Sequence, residues 1–170
     1  MKKTVQQNKE IYDYMVSANK KIILSGKNID PTCYAVVLNE KKEFSIFPIP
    51  LNQAGIPEER IALLSAMAKI LKKNKVKVNM FLTITTATVH KKNETEKKEC
   101  LIFSAKDSLD NSRYSMYNII KKDGKIELNE LEDKSSIGWN NKDKIEKEGD
   151  KFEDSMLTSF WNEYRKCKKA

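Results

Sequence analysis

Glycine, histidine and arginine are scarce in this chain of 170 residues. Only five glycines occur, Gly26, Gly55, Gly124, Gly138 and Gly149, and they stand far apart. A loop that cradles phosphate needs several glycines close together, so neither a P-loop nor a dinucleotide fingerprint is present. The single histidine, His90, excludes a multi-histidine metal site. It precedes Lys91 and Lys92, whose charges disfavour its protonated form, and it reads as a polar residue at a strand end. Arginine is limited to Arg60, Arg113 and Arg165. Bidentate phosphate clamps and direct base readout lean on arginine, so sequence-specific nucleic-acid recognition has little to work with.

The three cysteines, Cys33, Cys100 and Cys167, are odd in number and widely spaced. They outline neither a disulfide framework nor a metal site. Cys33 and Cys100 lie in apolar runs, where a free thiol acts as a small hydrophobe, and a reducing compartment is expected. No stretch approaches the ~20 apolar residues that span a bilayer. No apolar run follows Lys2 and Lys3, so no signal peptide is expected and the cytoplasm is the expected location.

Charge and patterned apolar residues are what the chain does have. Hydrophobic residues make up 39% and charged residues 33%, with a net charge of +8. The apolar content is too high and too periodic for general disorder. The length fits one domain spanning residues 1–170, able to bury roughly 70% of its unfolded surface without staples.

From Thr4 to Leu24, Ile11, Met15, Ala18 and Ile22 recur at helical spacing, with Tyr12 and Tyr14 beside the stripe and Gly26 as the stop. Two apolar runs follow, Tyr34–Leu38 and Glu43–Phe47, and read as a hairpin ended by Pro48 and Pro50. A second helix starts at Pro57, a residue suited to the first turn. Glu58 and Glu59 suit the positive end of its dipole, and Lys72, Lys73 and Lys75 suit the negative end. Ile61, Leu64, Met67, Ala68 and Leu71 form its stripe, with Leu63 and Ile70 widening it.

The stretch from Val76 to Ile126 reads as a meander. Val76, Val78, Met80, Leu82 and Ile84 share one face of its first strand, whereas Phe81, Ala87 and Val89 share the other. The change of face around Thr85-Thr86 predicts a β-bulge there or burial on both sides. Cys100–Ala105 and Tyr114–Ile120 are the next strands, and Asp123-Gly124 is a two-residue hairpin turn. Residues 132–151 are polar and predict a mobile loop interrupted by Ile137-Gly138-Trp139. A last helix is expected from Phe152 to Cys167, its inner face lined by Phe152, Met156, Phe160, Tyr164 and Cys167 with Leu157 and Trp161 beside them.

The order is α-β-β-α-β-β-β-β-α, an α+β chain with a single antiparallel sheet of five to six strands and helices packed on one face. This order resembles the roadblock and profilin-like group of folds, in which a hairpin, a covering helix and a meander make one sheet. The resemblance implies a scaffold that serves adaptors, sensors and small enzymes alike, so it does not select a function.

Candidate sites are few. Lys91, Lys92, Lys97 and Lys98 flank the loop between the first two meander strands and would attract phosphate without sequence preference. Arg113 stands beside Tyr114 and Tyr117. Those two tyrosines have opposite parity, so they cannot form the one-sided stacking platform of an RNA-binding sheet. Trp139 either folds back on its own domain or anchors a partner. Asp107 and Asp110 read as turn residues, with an Mg²⁺ site as the alternative.

The leading expectation is therefore a small soluble intracellular protein that binds another protein or itself without catalysis and without a cofactor. An exposed sheet edge supplies one route to such partners. The alternative is non-specific nucleic-acid binding through the lysines and the basic C-terminus. A third reading is metal-assisted hydrolysis at Asp107 and Asp110.

Overall fold

The computed structural model describes residues 2–39, 43–51, 57–90, 97–130 and 155–166. The elements follow the order α1 (Lys2–Leu24), β1 (Thr32–Leu38), β2 (Phe44–Pro50), α2 (Pro57–Lys73), β3 (Val78–His90), β4 (Lys97–Asp107), β5 (Ser112–Lys122), β6 (Lys125–Glu130) and α3 (Ser155–Lys166). All six strands join one antiparallel sheet, ordered β2-β1-β3-β4-β5-β6. The α+β class and the element order are as the sequence predicts. Among the described residues, no helix is long and apolar enough to cross a membrane.

The helices do not share one face of the sheet, contrary to what their stripes predict. Two separate clusters of buried side chains lie on opposite sides of the sheet. Tyr12, Met15, Val16 and Ile23 of α1 pack with Met80, Leu82, Ile84, Leu101, Phe103 and Tyr117. Leu64 and Ala68 of α2 and Leu157, Phe160 and Trp161 of α3 pack with Cys33, Ala35, Val37 and Phe81. A strand buried on both faces reads as a nearly continuous apolar run, which is the character of β3. The β2-α2-β3 connection explains the placement. It carries the chain past β1 to its other side, so α2 must cross over that part of the sheet.

The expected bulge around Thr85-Thr86 is not there, since the register of β3 with β4 runs unbroken through it, and an unexpected bulge lies instead near the start of β3. Val36 pairs with Met80 while Val37 pairs with Val78, leaving Asn79 as the extra residue. Val78 therefore joins the α2–α3 core and Met80 joins the α1 core, despite their equal parity.

Helix α1 also departs from its apolar periodicity. Ile22 is 41% exposed, whereas Asn8, Tyr12, Asn19 and Ile23 are buried. Met15 is buried where the spacing predicts it and Val16 is buried beside it, so the stripe keeps Met15, shifts by one residue elsewhere and admits two asparagines. On α2, Ile70, which the spacing puts at the edge of the stripe, is 50% exposed. Strand β2 runs through Pro48 and Pro50 rather than ending before them. Its edge position makes this possible, as shown below. Asp123 (φ 51°) and Gly124 (φ 74°) form the left-handed pair of the β5–β6 turn, as their sequence predicts.

Candidate interaction surface

Polar groups are sealed between α1 and the sheet. Asp107, at the end of β4, is fully buried. Its Oδ1 accepts from the backbone N of Leu109 and of Asn111, each at 2.9 Å. Its Oδ2 accepts from Asn111 Nδ2 at 2.8 Å and Asn8 Nδ2 at 3.3 Å. Asn8 Oδ1 in turn accepts from Asn79 Nδ2, the bulge residue, at 3.3 Å. The bulge is what aims Asn79 at α1.

This network ties helix, bulge and turn together and consumes the carboxylate. Asp110, left-handed at φ 66°, turns away to Arg165 Nη2 at 2.7 Å and Lys106 Nζ at 3.6 Å. Asp107 and Asp110 therefore do not converge on a shared ion position. Among the described residues no group of three His, Cys, Asp or Glu is placed to hold a metal. The two aspartates perform the turn chemistry that their sequence context predicts.

Arg113 is also engaged internally. Its Nη1 lies 2.7 Å from Asp13 Oδ1, and its guanidinium carbon sits 4.7 Å from the Tyr12 ring centre. The Nη1 hydrogens are not aligned for a hydrogen bond, so the contact is an ion pair rather than a bidentate fork. Beneath it, Tyr12 Oη donates to Ser115 Oγ at 2.8 Å. Burial raises the Tyr12 hydroxyl well above the ordinary tyrosine range, with Ser115 and Arg113 opposing the shift. Hydrophobic periodicity could not find this group, because its members are Asn, Asp, Ser and Tyr.

Trp139, Lys91 and Lys92 lie outside the described residues, as does the 132–151 segment. Lys97 opens β4, and Lys98 is half-buried on the same strand. Lys97 and Lys98 are not brought to Arg113, which pairs with Ala105 toward the other end of β4. Tyr117 is buried against α1 and Tyr114 points to the opposite face, as their parity requires. Cys33 and Cys100 are buried free thiols, and burial pushes the Cys100 thiol up.

The described feature most open to another chain is the β2 edge. Strand β2 has no charged residue: Phe44-Ser45-Ile46-Phe47-Pro48-Ile49-Pro50. Ile46 is 37% exposed and Phe47 is 50% exposed. Ile46 pairs with Val36 on the α1 side, and Phe47 pairs with Ala35 on the α2 side. Apolar contact is thus offered on both faces of the edge.

The backbone pattern follows from the register. Asn39 N donates to Glu43 O at 3.0 Å, and Leu51 N donates to Pro31 O at 2.9 Å. Odd-numbered residues therefore direct their amide groups inward to β1. Even-numbered residues direct theirs outward. Pro48 and Pro50 fall on outward positions, where a missing N–H breaks no bond within the sheet. Among the described residues the edge consequently keeps two N–H donors, those of Phe44 and Ile46, and four carbonyls, those of residues 44, 46, 48 and 50. The prolines blunt one half of the edge and leave the Phe44–Ile46 half able to pair.

Comparison with protein-family models, with curated proteins and with solved structures finds no match, so the functional reading rests on this geometry alone.

Proposed function

We propose that this protein works by non-catalytic binding, engaging another protein or a second copy of itself along the β2 edge. One observation carries the reading: an uncharged edge strand exposes Ile46 and Phe47 beside the amides of Phe44 and Ile46, which have no partner among the described residues. Edges of natural sheets are commonly guarded by charge or by proline, and this strand carries two prolines and no charge. Strand addition would give main-chain hydrogen bonds at Phe44 and Ile46, each contributing about 1 kcal/mol net. Burial of the exposed part of Phe47 would add to this and set which partner side chains fit.

The buried free thiols of Cys33 and Cys100 support a reducing compartment, and we place the protein in the cytoplasm. The experiment combines light scattering across a concentration series with capture of partners on the immobilised chain. The intact chain is expected to associate. Ile46→Lys combined with Phe47→Asp is expected to abolish association while leaving the circular dichroism spectrum unchanged. Undiminished association in the double variant, or none in the intact chain, rejects the reading.

A further inference from the structure

Helix α1 ends before the sheet beneath it does. Gly26, at φ 82°, turns the chain after Leu24, and residues 25–31 swing round to enter β1. Between this loop and the sheet lies a cleft of about 430 Å³. That volume falls within the roughly 300–1,000 Å³ of small-molecule sites.

The apolar part of the cleft is made by four isoleucines. Ile23 and Ile119 are buried in its floor, and Ile29 and Ile126 are half-buried in its walls. Branched aliphatic side chains of this kind accept an aliphatic body, and Asn28 and Thr86 add neutral polar groups to the lining. Charges of both signs surround it. Lys121 Nζ and Glu99 Oε2 neutralise each other at 2.8 Å. Lys27 and Asp30 are exposed on the loop, and their ammonium and carboxylate have no side-chain partner among the described residues. A simple anion would meet Lys27 but be repelled by Asp30, and a simple cation the reverse. A ligand carrying both charges satisfies both residues.

We propose that this cleft binds a small zwitterion with an aliphatic body, the chemistry of a free aliphatic α-amino acid. Its carboxylate faces Lys27, its ammonium faces Asp30, and its side chain lies on the isoleucine floor. The site is separate from the β2 edge and stands or falls without it.

The test is ligand-observed NMR titration of the full chain with L-leucine. Glycine, isovalerate and isoamylamine serve as comparators that each lack the body or one charge. Leucine is expected to bind saturably, and each comparator about tenfold or more weakly, the ratio that one lost contact of 1.4 kcal/mol gives. Lys27→Ala and Asp30→Ala, both exposed, are each expected to weaken leucine by a similar factor without changing the fold. No saturable leucine binding overturns the proposal. So does equal binding of a comparator, or undiminished binding in either variant.

Discussion

Asn111 grips Asp107 twice, through its side chain to Oδ2 at 2.8 Å and through its backbone N to Oδ1 at 2.9 Å. The reverse bond, Asp107 N to Asn111 O at 2.9 Å, closes the turn from the other side. One carboxylate thereby holds the β4–β5 turn, while its remaining contact with Asn8 fixes the first helix over it.

Removing that carboxylate strands buried donors. Asp107→Ala is expected to cost about 3 kcal/mol, because two backbone N–H groups and two amides lose their acceptor in a sealed site. Asp107→Asn keeps the volume but turns one acceptor into a donor facing donors, so it is expected to be destabilising too. Urea unfolding measures both. A chelator is expected to leave the wild-type midpoint unmoved, whereas a structural ion held by Asp107 would lower it on removal.

Alkaline pH should find Tyr12. Burial raises its hydroxyl in the folded chain, and burial raises Tyr34 and Tyr117 as well. Below the ordinary tyrosine value of about 10, both folded and unfolded chains keep these protons, so stability is flat from this source. Above it, the unfolded chain loses protons first and stability falls with rising pH. Tyr12→Phe is expected to cost about 1 kcal/mol at neutral pH through the lost bond to Ser115. It is also expected to make the alkaline fall shallower. Equal slopes for both proteins in a pH series of unfolding midpoints would contradict the burial of Tyr12.

A single hydroxyl bridges the entrance to β3. Tyr164 Oη donates to Val76 O at 2.6 Å and accepts from Val78 N at 3.1 Å. Trp161 Nε1 donates to Lys106 O at 3.1 Å, one strand away. Tyr164→Phe keeps the ring but leaves both backbone groups without this partner, at an expected cost of about 2 kcal/mol. Amide exchange should show the loss at Val78 before it shows anywhere in β5.

Gly26 isolates a backbone effect. A Cβ added there meets nothing within 4 Å, yet its φ is 82°. Gly26→Ala is therefore expected to cost about 1 kcal/mol from conformation alone. Gly26→Asn is expected to cost less, since asparagine tolerates the left-handed region. A larger loss for alanine in thermal unfolding would imply a steric contact that the structure does not contain.

Element order, the α2 stripe with its charged ends, the Asp123–Gly124 turn and the turn role of Asp107 were all determined by the sequence itself. Each depends on residues within a few positions of one another, where spacing and backbone preference act directly. Tertiary structure decided the rest. Periodicity shows that a helix has an apolar side but not which face of a sheet it meets, so α1 opposite α2 and α3 was not legible. Polar types hid the α1 stripe, because Asn8 and Tyr12 become core residues only when Asp107 and Ser115, about a hundred positions away, supply their partners. The β2 edge was hidden for the same reason. Pro48 and Pro50 end a central strand but are harmless at a rim, and only the pairing of β1 with β3 puts β2 at that rim.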